Sequence, residues 1–301
     1  MRLKTSLQGL FPGLAALCAA TAASAQEVGD LPIVGAPVSG AMGFQPAATE
    51  LARDLQSLDH MVLLIISSIT LFVTILLAVV FLRFNARANP TPARFTHNTP
   101  VEIVWTVVPI IILLFIGAFS LPALFKQQEI PQADLTIKAT GYQWYWGYEY
   151  VDHEFGFDSF MIGQGANVVD DEIRAELEAA GYSDDEFRLA TDTAVVVPVG
   201  KTVVLQVTGA DVIHSWAMPA FGVKQDGVPG RLAELWFNAE KEGIYFGQCS
   251  ELCGIRHGFM PIAVEVVSKE NFEAWVDKAR KEFASDDRLP RPRMLAQSAT
   301  K

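Results

Sequence analysis

Residues 249–260 read Cys249-Ser250-Glu251-Leu252-Cys253-Gly254-Ile255-Arg256-His257-Gly258-Phe259-Met260. Two thiols stand four residues apart, an imidazole follows four residues after the second thiol, and a thioether three residues after that. Thiolates and a thioether combined with imidazole favour copper over harder cations. A loop with one thiolate that closes on His and a weak Met is the mononuclear blue-copper pattern, and this loop has one thiolate too many for it. Two thiolates in a short loop can instead bridge two copper ions, each ion then needing one imidazole. His257 supplies one, and His214, in Asp211-Val212-Ile213-His214-Ser215-Trp216, is the best candidate for the other. The same residues admit blander readings. Cys249 and Cys253 could form a disulfide in an oxidising compartment, and zinc takes the same donor types, although Met260 adds nothing to a zinc site. Met260 alone is ordinary core filler; it gains weight as a ligand because it closes a run that already holds Cys, Cys and His.

Outward from this loop the chain reads as short strands. Segments 232–238 and 243–248 lead into it and 262–267 closes it. Further upstream, 194–197 and 202–207 are β-branched runs broken at Pro198-Val199-Gly200. Leu135, Ile137 and Ala139 alternate with polar residues, again a strand pattern. Next comes Tyr142-Gln143-Trp144-Tyr145-Trp146-Gly147-Tyr148-Glu149-Tyr150, read as one aromatic strand with a buried and an exposed face. The segment 221–231 is punctuated by Gly and Pro and reads as a loop. Met218 reads as packing. Residues 168–181 carry Ile173, Leu177 and Ala180 on one face of an acidic helix, an insertion between strands spanning about 162–187. Residues 271–283 read as a short amphipathic helix, followed by a polar, Pro-rich tail. Many short strands with metal donors in the last inter-strand loop point to a cupredoxin-like β-sandwich or barrel over 127–268, with 269–301 as C-terminal helix and tail.

The first part of the chain is different. Arg2 and Lys4, an apolar stretch too short to span a bilayer, and Ala23-Ser24-Ala25 read as a secretory signal peptide over 1–25, leaving Gln26 first. Residues 26–55 are rich in Gly, Pro and Ala and read as an irregular exported arm needing a partner to be ordered. Two uncharged runs of 22 residues, 61–82 and 103–124, are each long enough to cross a bilayer, and define a transmembrane hairpin over 56–126. Between them lie Arg83, Arg87 and Arg94, with no acid until Glu102. Basic connecting loops stay inside, so both flanking regions are expected outside. Glu102 at the start of the second run reads as a helix-start residue.

Half of the 301 residues are apolar, and the formal net charge is −11. Glu149 to Asp192 holds 13 acids and 2 bases, so the remainder has 21 of each and balances. One acidic block carries the imbalance, which suits a cationic protein partner better than nucleic acid, and no nucleic-acid partner is expected.

The loop CSELCGIRHGFM, the upstream DVIHSW and the aromatic run GYQWYWGYEY together resemble subunit II of aa3-type cytochrome c oxidases, over nearly all of the chain after the signal peptide. The resemblance implies a bacterial inner-membrane subunit with periplasmic N- and C-terminal regions, assembled with subunits I and III. It implies a dinuclear copper A centre: His214, Cys249, Cys253 and Met260 around one copper, and Cys249, Cys253, His257 and the backbone carbonyl of Glu251 around the other. The Glu251 carboxylate would reach a magnesium shared with subunit I. Trp144, with Gln143 beside it, would be the electron port. Glu102 would stand at the entrance of a proton path into subunit I, which the 221–231 loop would also face. The expected donor is a basic c-type cytochrome, steered by Glu149, Asp152, Glu154, Asp158, Asp192 and Asp211. There is no Cys-x-x-Cys-His, so no haem is expected on this chain. A quinol oxidase subunit II shares hairpin and sandwich but lacks the copper donors; a membrane-anchored copper carrier would account for the loop but not for the aromatic run or Glu102.

Overall fold

The computed structural model describes residues 31–91 and 93–283; the expected signal peptide and the tail beyond 283 lie outside them. Two long helices come first, α1 (Glu50–Arg83) and α2 (Thr99–Gln128). Their most apolar windows have no buried residue, so their Leu, Ile, Val and Phe side chains face outward and need an apolar surrounding. Both helices are longer than the uncharged runs because their ends are capped by polar residues. Thr49 caps α1, its hydroxyl accepting from Ala52 N at 3.0 Å. Asn98 caps α2 by accepting from Val101 N, while Glu102 Oε1 accepts from Asn98 N at 3.1 Å. This reciprocal pair satisfies donors that the first turn leaves unpaired. Pro109 and Pro122 lie inside α2.

The β domain contains β1 (Ile33–Gly35), β2 (Leu135–Tyr142), β3 (Tyr145–Tyr150), β4 (Phe155–Ser159), β5 (Val195–Pro198), β6 (Thr202–Gly209), β7 (His214–Met218), β8 (Val223–Gly227), β9 (Ala233–Asn238), β10 (Gly243–Gln248) and β11 (Pro261–Val267), with α3 (Asp171–Ala179) and α4 (Lys269–Phe283). One sheet runs β1-β10-β11-β5, the other β4-β3-β2-β6-β9, and β7-β8 form a separate hairpin. The alternation at Leu135, Ile137 and Ala139 places all three in a core shared by both sheets, with Val203, Leu205, Phe237, Val264 and Val266. Two sheets closing over one apolar interior make a β-sandwich. The expected hairpin and all-β cupredoxin-like domain are both present.

Three features differ from the sequence reading. The aromatic run is not one strand: β2 ends at Tyr142 and β3 begins at Tyr145, so Gln143 and Trp144 sit at the turn between antiparallel neighbours. The 221–231 segment contains β8, which pairs with β7 from His214↔Gly227 to Met218↔Val223. The arm before the hairpin lies on this chain's own β domain. β1 pairs with β10, Ala48 N donates to Ala220 O at 2.8 Å, the Thr49 hydroxyl donates to Phe221 O at 2.7 Å, and Arg53 holds Glu240 with both terminal nitrogens, at 2.6 and 2.8 Å. Met218 is fully buried in the core, in keeping with a packing role.

Candidate metal centre

The β10–β11 connection is held at both ends by the sheet: Gln248 and Pro261 are a ladder pair. The intervening loop therefore leaves and re-enters at one place, and its donors turn toward each other. Cys249 and Cys253 are both buried and free. Their sulfurs are 3.8 Å apart, far beyond the roughly 2.05 Å of a disulfide. Cys249 Sγ lies 3.9 Å from His214 Nδ1 and 3.4 Å from the Glu251 carbonyl. Cys253 Sγ lies 3.5 Å from His257 Nδ1 and 3.5 Å from Met260 Sδ. Donors around an ion at 2.0–2.3 Å stand about 3.6 Å apart when tetrahedral, so these edges have the length of a coordination polyhedron. His214, Cys249 and Cys253 form a buried group whose ligand atoms all lie within 4.8 Å of one another. The softness of the set fits copper.

Electrostatics support a cation there. Burial works against both thiolates. At Cys249 it is outweighed by His214 and by hydrogen bonds from the backbone at Glu251 and Ser215, which bring the thiol down to about 7. At Cys253 burial and the adjacent Cys249 act together and push the thiol up to about 12. Burial and the repulsion between the two sulfurs oppose ionising both together, and metal binding displaces the protons.

His214 starts β7 and is fully buried. Its Nε2 meets Asp211 Oδ1 at 2.8 Å, which leaves Nδ1 for the sulfur side. Asp211 also accepts from Val212 N at 2.7 Å and Gln143 N at 2.8 Å. Burial raises the Asp211 carboxyl, but these hydrogen bonds outweigh it and hold it below its ordinary range. Asp211, read from sequence as a steering acid, is exposed and also holds a donor imidazole through one carboxylate oxygen. A carboxylate in this position orients the ring and fixes its tautomer. Asp211→Asn is expected to lower metal affinity about 10–100-fold with the fold intact, measured by copper retention against a chelator. Asn can still accept from the ring N–H, so unchanged retention would mean the carboxylate charge is immaterial.

Trp144 and Gln143 reach the metal loop directly. Trp144 Nε1 donates to Cys253 O at 3.2 Å and Gln143 Nε2 to the same oxygen at 2.9 Å. The indole is half-buried. The other sequence-selected acids separate into two groups. Asp158 lies on β4 opposite Gly147, and Asp192 accepts from Phe160 N at 2.9 Å, near Tyr145. Glu149, Asp152 and Glu154 lie toward or beyond the far end of β3 from the Gln143–Trp144 turn. Glu149 is bound to Lys138 at 2.7 Å, and Asp152 accepts from Thr136 N. The Glu251 side chain is exposed, and Glu102 caps α2.

Some contributors had no sequence signal. A Cβ on Gly141 would lie 2.6 Å from the His214 ring, so only glycine lets β2 pass beneath that imidazole. The insertion and the residue directly after it brace the metal loop. The Arg188 guanidinium stacks over Phe259 at 5.2 Å and donates to Asn167 O at 2.9 Å, and the Arg256 guanidinium lies against Gly165. Both flanks of His257 are thereby held by residues some 70 to 90 positions earlier.

Residues 135–267 match the family described as cytochrome C oxidase subunit II, periplasmic domain, and residues 37–123 match its transmembrane domain. The chain is 61% identical over 284 residues to cytochrome c oxidase subunit 2 of Cereibacter sphaeroides, covering 93% of each chain. It is 47% identical over 252 residues to a probable cytochrome c oxidase subunit 2 of Rickettsia bellii, covering 83% of this chain and 88% of the relative. The solved periplasmic domain of subunit II of the Bradyrhizobium japonicum cytochrome oxidase is 50% identical, covering 52% of this chain and 99% of that one, with a TM-score of 0.43. The matched residues take in hairpin, sandwich and the whole sulfur loop, and the chain belongs to the cytochrome c oxidase subunit II family.

Proposed function

We propose that this chain is the subunit through which electrons reach a haem-copper, proton-pumping oxidase, accepting them singly from a c-type cytochrome and passing them to haem a of subunit I, where O2 is reduced to water. The observation that carries this reading is the contact of the half-buried Trp144 indole with the Cys253 carbonyl, which links the outer surface to a sulfur donor by one hydrogen bond of 3.2 Å. The donor set would hold two copper ions, His214, Cys249, Cys253 and Met260 serving one, and Cys249, Cys253, His257 and the Glu251 carbonyl the other. When bound, the pair supplies a one-electron couple whose charge is spread over both sulfurs. The chain's own contribution is rigidity: His214 is fixed by Asp211, Cys253 by Gln143 and Trp144, and the loop ends by the β10–β11 ladder.

The exposed Glu251 carboxylate would take a magnesium shared with subunit I, an oxygen ligand suited to that ion. Glu102 would serve the proton-path entrance in addition to capping α2. The basic Arg83–Arg94 connection stays on the inner side of the bacterial inner membrane, and both terminal regions are periplasmic. Subunits I and III cover the outward apolar faces of the helices.

Two measurements test the electron route. Trp144→Gln should leave the copper spectrum intact and slow electron transfer from cytochrome c; a normal rate would exclude Trp144 as the port. Neutralising Asp158 and Asp192 together should slow capture of cytochrome c by roughly tenfold at low salt and flatten its salt dependence. Neutralising Glu149, Asp152 and Glu154 should do less, because they sit toward or past the far end of β3 from Trp144. Unchanged salt dependence in the first variant would remove those acids from the docking face.

A further inference from the structure

We propose that the cleft between α4 and the β5–β11 pair is a socket for a cationic side-chain group, a guanidinium or an alkylammonium, delivered from outside the described residues. The cleft has a volume of about 220 Å³ and is lined by Asp192, Glu265, Trp275, Lys278, Glu282 and Phe283, among others. Glu265 is the decisive residue. It sits mid-strand in β11, paired with Ile244 on one side and Val196 on the other, and is 8% exposed. Among the described residues its carboxylate has no hydrogen-bond or ion-pair partner, and neither does the ammonium of Lys278 in the same cleft. A carboxylate on a residue this far withdrawn from water, with its oxygens open only to the cleft, is poorly solvated when ionised and is stabilised by a cation that meets it there. Burial alone pushes its carboxyl up to about 7, so a cation entering the cleft would be bound together with the ionised form.

The surroundings select the kind of cation. Asp192 and Glu282 add acidic residues, and Trp275 and Phe283 line the same cleft with aromatic rings, which attract guanidinium and ammonium groups. A bare metal ion fits less well. Among the described residues the one group of three or more His, Cys, Asp or Glu donors with all ligand atoms within 4.8 Å of one another is His214, Cys249 and Cys253. A planar guanidinium spreads its donors and can serve carboxylates that do not converge. Two sources offer this chemistry. Arg288, Arg291 and Arg293 follow α4 in the sequence, and other polypeptides of the oxidase are the second. The inference is independent of the copper reading.

The test is electron cryomicroscopy of the assembled oxidase carrying the full chain, a chain ending at Phe283, or Glu265→Gln. The full chain should show an Arg or Lys side chain within about 3 Å of the Glu265 carboxylate, and Glu265→Gln should lose it with the copper spectrum unchanged. Loss in the shortened chain assigns the group to residues 284–301; retention assigns it to another polypeptide. A Glu265 carboxylate facing only water, a metal ion or Lys278, or an occupant that persists in Glu265→Gln, would overturn the proposal.

Discussion

Cys253→Ser is expected to abolish electron uptake from cytochrome c while leaving the fold and the Trp144 contact in place. Cys253 is the common neighbour in the loop: its sulfur lies within 3.8 Å of the donor atoms of Cys249, His257 and Met260. A hydroxyl is a harder donor and does not bridge soft ions as a thiolate does. The backbone carbonyl that receives Trp144 and Gln143 is untouched by the change, so the surface around Trp144 stays as it was. The loss in copper affinity should exceed the about 10–100-fold typical of outer partners, because a ligand itself is removed. The check pairs copper content with stopped-flow reduction by cytochrome c. Retained uptake with full copper content would show that Cys253 is not a bridging ligand.

Gly141→Ala is expected to damage site and scaffold together. The added Cβ would meet His214 Cγ at 2.6 Å and its Cβ at 2.7 Å. Neither partner can give way easily. Gly141 is held by ladder pairs to Trp146 and Gly209, and His214 is buried and tied to Asp211. Overpacking of this kind costs about 1–3 kcal/mol. The imidazole would be driven from its place beside Cys249, so copper retention should fall along with thermal stability. An alanine variant with native stability and native copper content would mean that the β2–His214 approach is looser than the structure shows.

The parts of this molecule legible in the sequence are those with a local cause. The uncharged runs declare themselves by length, the strands β6, β9, β10 and β11 by β-branched and apolar composition, and the sulfur loop by donor spacing. What stayed hidden depends on residues far apart in the chain. The β7–β8 hairpin was hidden because a segment full of Gly, Pro and charge reads as a loop, while its pairing partner lies across a turn. The break at Gln143–Trp144 was hidden because aromatic residues on both sides continue the strand pattern. The residues before α1 look unstructured in isolation; their partners Ala220, Phe221 and Glu240 lie more than 170 positions later. Asp211 reads as one more acid of a charged surface, and only the fold shows its oxygens turned to His214 and Gln143. The insertion reads as a solvated acidic helix, yet Gly165 within it and Arg188 directly after it meet the metal loop.

The most direct test of the whole account is a copper analysis and an electron spin resonance spectrum on the same purified sample of the intact chain. Two coppers per chain, with one unpaired electron shared equally between two nuclei, is the predicted result. A single copper with hyperfine structure from one nucleus, or a chain that binds none, would contradict it.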